Sequence, residues 1–285
     1  MRLVHARGEI PLDHCLVLGI VNRTPDSFYD GGRMDLDAAV EHALVLEREG
    51  ADVLDIGAVK AGPGTPVSLE EEWARLEPLL VAVENASKLP ISIETVHPEI
   101  VRRAVASGAA LVNDVSALAD RALAEAAAET GAGVILMHNG GQVRGRPRHP
   151  QYGDVVTEVG DELVALARVA QEAGVARAAI VVDPGLDFGK TTFHSLELMR
   201  RLPELVGRGY PVLVAASRKD VVGETLGLPP VERLEGSLAL AALAAAGGAA
   251  AVRVHDVEAS VRAVRMTEAV TGRRVPSAPV RGLWD

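Results

Sequence analysis

Aromatic residues are scarce, Phe, Trp and Tyr together making up 3% of 285 residues. Too few rings exist to build the stacking platforms of single-strand nucleic-acid binders or the aromatic belt of a membrane protein. Cys15 is the one cysteine, so no intrachain disulfide can form. Its apolar neighbours Leu16, Val17 and Leu18 read as the start of a buried strand in a reducing, cytoplasmic protein rather than as a reactive thiol. Basic excess is also missing: Lys+Arg number 29 against 39 Asp+Glu, a formal charge of −10. That balance repels nucleic-acid phosphates and anionic lipid surfaces, so neither is expected as a partner. The longest apolar run, Leu238 to Val252, is mostly Ala and Gly and falls short of the ~20 residues that a membrane span needs. Met1-Arg2-Leu3-Val4-His5 has neither the apolar core nor the small-residue cleavage site of a secretory signal.

What is present is an ordinary globular composition, 48% hydrophobic and 24% charged, which excludes disordered and fibrous classes. Short β-type runs alternate with helical stretches from end to end, the pattern of a parallel sheet with crossover helices. Strands are expected near Cys15–Val21, Asp52–Ile56, Ile91–Ile93, Ala110–Val112, Val134–Met137, Ala179–Val182, Pro211–Ala215 and Ala250–Val254. Helices are expected near Leu36–Glu49, Leu69–Ala86, Glu99–Ser107, Ala119–Thr130, Val155–Ala173, Ser195–Val206, Glu232–Ala246 and Glu258–Val270. Gly50, Gly108, Gly131, Gly174 and Gly247 stand where helices should end. Eight repeats favour a (β/α)8 barrel, α/β in class, although a doubly wound sheet would also give strands covered on both faces. The chain reads as a single domain over residues 1–285, with a core of about 14–271 and a C-terminal tail of 272–285.

Reacting groups of such barrels sit at the C-terminal ends of the strands. Here those positions are Asn22, Asp55, Glu94, Asn113-Asp114, His138-Asn139, Asp183, Ser217-Arg218-Lys219 and Arg253 with His255-Asp256. Singly, each could be a helix cap or a packed polar group; polar residues at the same end of all eight strands are harder to assign to capping. Arg218, Lys219, Arg253 and His255 follow the last two strands, where barrels commonly bind phosphate, and suggest an anionic ligand. The alternative is ion pairing with Asp220, Glu224 or Asp256. Glu94, Asn113 and Asp183 suit a heterocycle with several N–H donors, since a carboxylate accepts two such bonds and an amide both donates and accepts. No His/Cys cluster has zinc spacing, and Asp187 with His194 makes no convincing metal pair. The long segments Asn22–Gly32 and Gly57–Ser68 have the length of lids or binding loops. Lys190 reads as a surface residue.

Several pieces now align with a known family. They are Asn22-Arg23-Thr24-Pro25-Asp26-Ser27-Phe28 with Asp30-Gly31-Gly32, Asn113-Asp114-Val115-Ser116, Asp183-Pro184-Gly185 with Phe188-Gly189-Lys190, Ser217-Arg218-Lys219, Arg233-Leu234-Glu235-Gly236 and Arg253-Val254-His255-Asp256. In this order, over nearly the whole chain, they resemble the dihydropteroate synthase family of the folate pathway. The resemblance implies a (β/α)8 barrel, dependence on Mg²⁺, a homodimer packed through the last helices, and condensation of 6-hydroxymethyl-7,8-dihydropterin pyrophosphate with 4-aminobenzoate. By the same resemblance Asn113, Asp183 and Lys219 would hydrogen-bond the pterin and, with Arg253, carry the catalysis. Met137 and Phe188 would flank the pterin ring. Glu94 stands where the family has a pterin-binding Asp. Asn22, Arg253 and His255 would hold the pyrophosphate, Asn22 and Asp30 the Mg²⁺, and Ser217 and Lys60 would lie on the aminobenzoate side.

Two departures are visible. The family's second loop reads Gly-Glu-Ser-Thr-Arg-Pro-Gly, whereas this chain has Gly57-Ala58-Val59-Lys60-Ala61-Gly62-Pro63-Gly64. A lysine point charge cannot reproduce arginine's planar fork. Glu94 carries one methylene more than Asp. The second loop, with Asp220-Val221-Val222-Gly223-Glu224-Thr225, is similar to a divergent second paralogue of actinobacteria. The alternative expectation is therefore a pterin-binding protein with little or no turnover. A pterin-barrel methyltransferase is a third reading, but it leaves Arg253-Val254-His255 without a use.

Overall fold

The computed structural model describes residues 1–22, 36–59, 67–141 and 150–281. An N-terminal hairpin, β1 (Arg2–His5) and β2 (Gly8–Pro11), precedes an eight-stranded parallel sheet. The sheet strands are β3 (Leu16–Asn22), β4 (Val53–Gly57), β5 (Ile91–Glu94), β6 (Leu111–Asp114), β7 (Gly133–Met137), β8 (Ile180–Asp183), β9 (Leu213–Val214) and β10 (Ala251–Val254). Their order is β8-β7-β6-β5-β4-β3-β10-β9. A parallel bridge between Val182 and Val212, with Val182 N–H donating to Pro211 O at 2.9 Å, joins the two ends. The eight expected strands are thus all present and wrap into a barrel.

The outer ring is α1 (Leu36–Arg48), α2 (Leu69–Ala86), α3 (Pro98–Ala106), α4 (Ala122–Thr130), α5 (Val155–Glu172), α6 (Thr192–Arg200), α7 (Leu202–Val206), α8 (Asp220–Leu226), α9 (Leu234–Ala246) and α10 (Val257–Val270). Local chemistry sets several starts. The Ser68 and Asp154 side chains accept first-turn N–H groups of α2 and α5, and Thr191 with His194 forms a capping box on α6. The last role absorbs the His194 that no metal claimed.

Strand alternation sorts the interior into layers. Val17, Leu54, Ile56, Ile93, Val112, Leu136 and Val182 face the helices in one core cluster. Leu16, Leu18, Val53, Leu111, Ile135, Val181, Leu213 and Ala251 fill the barrel's inside in another, and Leu3 and Ile10 of the hairpin join them. The hairpin therefore plugs the N-terminal end, with Ala6 N–H donating to Ala110 O at 3.4 Å. Moving two residues along each strand climbs one layer and stays inside. Val53, Ser92, Leu111, Val181 and Ala251 are thus followed by Asp55, Glu94, Asn113, Asp183 and Arg253.

Four expectations need correction. The N-terminal hairpin adds two strands to the expected eight, each only four residues long and too short for a clear periodic signal. The helix expected over Ser195–Val206 breaks at Arg201, whose ψ is 22°. The helix α8 was missed, being only seven residues long. Gly50, Gly108, Gly131 and Gly174 have positive φ as helix ends require, but at the fifth site Gly248 (φ 93°) takes that role while Gly247 is right-handed. Beyond α10, residues 271–281 add no further helix or strand.

Candidate active site at the carboxyl end of the barrel

The centre of the upper layer is a buried charge cluster. Arg253 donates from Nε to Asp55 Oδ2 at 2.5 Å and from Nη2 to Glu94 Oε2 at 2.8 Å. Asn113 donates from Nδ2 to the same Asp55 oxygen at 3.3 Å. Asp55 is wholly buried, and its Oδ1 has no hydrogen-bond partner among the described residues. Sequence reasoning placed Asp55 among the strand-end polar residues without a role; it is the hub linking Arg253 to Asn113. Burial opposes the charge on Arg253, but Asp55 and Glu94 outweigh it and hold the guanidinium charged. Burial lifts the Glu94 carboxyl to about 7, against the pull of Arg253.

Around this core stand the other expected residues. Asp183 accepts from Gly185 N–H at 2.7 Å, and burial raises its pKa. Lys219 donates to Leu186 O at 2.9 Å and lies 5.0 Å from the centroid of the Phe188 ring. Burial lowers its pKa, with Asp183 opposing. Met137 is buried at the end of β7, paired in register with Asp183. His255 N–H donates to Ser217 Oγ at 3.2 Å, and that hydroxyl lies 3.1 Å from His255 Nδ1. Burial first, then Arg253 and Arg218, lower His255 to about 4. The imidazole is therefore neutral at pH 7, with one ring nitrogen within hydrogen-bond reach of Ser217.

The expected cation cluster is thereby divided. Arg218 forks onto Asp256, with contacts of 2.9 and 2.6 Å, so the ion-pairing alternative holds for that residue. Arg233 braces the same turn by donating to Arg218 O at 2.9 Å and Asp220 Oδ1 at 3.1 Å. Lys219, Arg253 and His255 remain at the centre. Lys190 is no surface residue: it is 7% exposed, and its Nζ lies among carbonyls of the strand-end loops.

Asn22 ends β3, and a Cβ on Gly57 would lie 3.1 Å from its Oδ1, so the second strand's terminal glycine leaves room for that amide. Asp30 and Lys60 lie outside the described residues, as do most of the two long loops. Among the described residues no group of three or more His, Cys, Asp or Glu could hold a metal ion.

A model of the family described as pterin binding enzyme matches residues 18–255. The chain is 40% identical over 271 residues to "Dihydropteroate synthase" of Escherichia coli strain K12, covering 94% of this chain and 96% of that protein. The chain belongs to the dihydropteroate synthase family. Another family member, "Inactive dihydropteroate synthase 2" of Mycobacterium leprae, is 47% identical over 283 residues, covering 96% and 97% of the two chains. Among solved dihydropteroate synthases, the Xanthomonas albilineans enzyme in complex with 7,8-dihydropteroate matches at a TM-score of 0.85 and 41% identity, covering 98% of this chain and 100% of that one. The family's barrel is the one described above.

Proposed function

We propose that this barrel binds 6-hydroxymethyl-7,8-dihydropterin pyrophosphate at its carboxyl end and condenses it with 4-aminobenzoate, giving 7,8-dihydropteroate and pyrophosphate. The observation that carries the reading is the juxtaposition, within one buried layer, of Asn113, Asp183 and Lys219 with Arg253. The first three match the mixed donor and acceptor edge of a pterin, and Arg253 matches the charge of a pyrophosphate. Glu94 joins the same layer through its bond with Arg253. Met137 and Phe188 flank the ring, and Lys219 can face both Phe188 and a ring acceptor. His255, neutral, can present a ring N–H to a phosphate oxygen without adding charge. Ser217, hydrogen-bonded to His255, and Lys60 would lie on the aminobenzoate side.

In the reaction the C–O bond at the pterin methylene breaks with its electron pair going to pyrophosphate. The 4-aminobenzoate nitrogen forms the new C–N bond and gives up one proton. Arg253 and Lys219 stabilise the charge that builds on the departing group, while Asp183 and Asn113 hold the ring that shares positive charge with the methylene. No enzyme nucleophile is required. Mg²⁺ would be held by Asn22 and Asp30 with phosphate oxygens completing its shell; few protein ligands suit this ion, which keeps waters and substrate phosphates around it. When bound it would neutralise charge on the pyrophosphate.

A second reading, pterin binding with little or no turnover, is favoured by a specific observation. Arg253 is already held by two carboxylates, one of them the longer Glu94. The 47% identical mycobacterial relative is named inactive. Pyrophosphate release, measured with Mg²⁺ and both substrates against a control lacking 4-aminobenzoate, tests turnover. Calorimetric titration with the pterin pyrophosphate alone tests binding. Release dependent on aminobenzoate supports the synthase, binding without release supports the second reading, and neither overturns both.

We also infer a cytoplasmic homodimer. Its support is the exposure of Leu243 on α9 and of Met266 and Val270 on α10, two helices packed on each other, and the buried free Cys15. Light scattering of the purified protein checks the dimer; a monomeric mass overturns it.

A further inference from the structure

Two chain segments cross beneath the residues that flank the proposed pterin ring. One runs from His138 to Gly140 after β7 and the other from Gly185 to Lys190 after β8. A Cβ on Gly185 would stand 1.9 Å from the His138 carbonyl oxygen, and one on Gly189 2.7 Å from that of Asn139. The segments therefore touch backbone to backbone, and both glycines have positive φ. Lys190 Nζ sits at the crossing, 2.8 Å from Phe188 O, 3.0 Å from Gly185 O, 3.4 Å from His138 O and 2.7 Å from His138 Nδ1. Tyr152 adds a hydroxyl bond to Gly189 O at 2.8 Å.

Nδ1 of His138 can accept from an ammonium only when it carries no proton, so the ring is the neutral Nε2–H tautomer. Burial and then Lys190 push that imidazole down to about 3, in keeping with this assignment. Its Nε2 lies 3.0 Å from Glu162 Oε2 but forms no well-aligned hydrogen bond.

We propose that Lys190 is a positioning residue for the pterin half of the site: by directing its three N–H donors at Phe188 O, Gly185 O and His138 Nδ1, with His138 O a longer contact, it locks Met137, Asp183 and Phe188 into one arrangement. The proposal rests on the pterin reading given above. An apolar side chain at position 190 would leave these acceptors buried without a donor, and the crossing would relax to satisfy them. Lys190 also faces Asp183, Asp187 and Glu162, which favour its charge, and Lys219, which opposes it; His194 lies close enough to feel it. Burial lowers the amine to about 7. Above that pH the group keeps two donors where it had three, so the lock weakens as pH rises.

The test uses the full chain, with Lys190→Met and Lys190→Arg beside the wild type. Titrations with 6-hydroxymethyl-7,8-dihydropterin pyrophosphate at pH 6, 7.5 and 9 are paired with hydrogen exchange of the 185–190 amides in ligand-free protein. Lys190→Met is expected to weaken binding about tenfold or more, the order that loss of a buried hydrogen bond to a charged group produces, and to speed exchange at the crossing. Wild-type affinity should fall from pH 6 to 9, whereas Lys190→Arg, charged throughout, should show a smaller fall. Should Lys190→Met fail to fold, this difference in pH profile decides. A wild type that binds the pterin, with Lys190→Met equal to it in affinity and exchange, overturns the Lys190 role alone. A wild type that does not bind the pterin overturns the pterin reading and the role with it.

Discussion

The two ends of the barrel are built from the same strands yet hold opposite chemistry. At the amino end, Leu16, Leu18, Val53, Leu111 and Val181 meet Leu3 and Ile10 of the hairpin in an apolar layer closed to water. One step up, the same interior holds Asp55, Glu94, Asn113 and Arg253 in direct contact, with Asp183 and Lys219 close enough to act on their charges. The lower layer gains free energy from burial alone. In the upper layer each charge resists burial and is tolerable only through its neighbours. The lower end is therefore the scaffold's anchor, and the upper end stores the unfavourable electrostatics that a charged ligand can relieve.

The sharpest way to break this contrast is at its hub. Replacing Arg253 with Met leaves Asp55 and Glu94 buried together without their shared cation, a change that typically costs about 3–5 kcal/mol. Urea denaturation should show that loss, and titration with the pterin pyrophosphate should show almost no binding. A variant as stable as the wild type would mean that the carboxylates reach water once the arginine is gone, and the two ends would then differ less than the geometry indicates.

The matching change at the other end is Leu3→Ala, which empties part of the hairpin plug. Buried leucine truncations cost about 2–5 kcal/mol, and a site near a chain terminus can relax toward the lower figure. Urea midpoints should fall while pterin affinity at the far end stays unchanged. Loss of affinity in this variant would show that the plug also sets the geometry of the upper layer.

How much of this was legible in the sequence follows from the same layering. Strand number, helix order and the polar strand ends could be read because each rests on local periodicity and on the rule that barrel chemistry gathers at one end. Asn113, Asp183, Lys219 and Arg253 were found in that way and do converge. Lys190 reads as exposed in the sequence because lysine is rarely buried without a partner, and its partners are an imidazole and backbone carbonyls of two loops that no sequence pattern announces. Arg218 and Arg253 look alike in sequence; only the fold shows one forked onto Asp256 and the other onto Asp55 and Glu94. The hairpin leaves little trace because its four-residue strands find their apolar partners in the barrel's inner layer, contributed by strands far along the chain. Gly247 and Gly248 are adjacent, and which of them turns left-handed depends on the last turn of α9 rather than on residue type.

The smallest effect expected tests whether the upper layer's strain can be titrated. Glu94 is raised by burial from the usual carboxylate range to about 7, so between those values the folded protein holds a proton that the unfolded chain releases. The folded state then binds more protons than the unfolded one, and stability falls with increasing pH across this window. The contribution of Glu94 is complete below the unfolded value and is lost as pH rises through about 7. Glu94→Gln removes the titration while keeping the side chain's length. The difference in urea midpoint between wild type and Glu94→Gln should therefore shift against the wild type from pH 5 to pH 8. Protonation also loosens the hold of Glu94 on Arg253, so wild-type affinity for the pyrophosphate group should gain as pH drops through this range, and the gain should be smaller in Glu94→Gln. A midpoint difference independent of pH would mean that Arg253 fully offsets the cost of burying the Glu94 carboxylate, which then stays ionised in the folded protein.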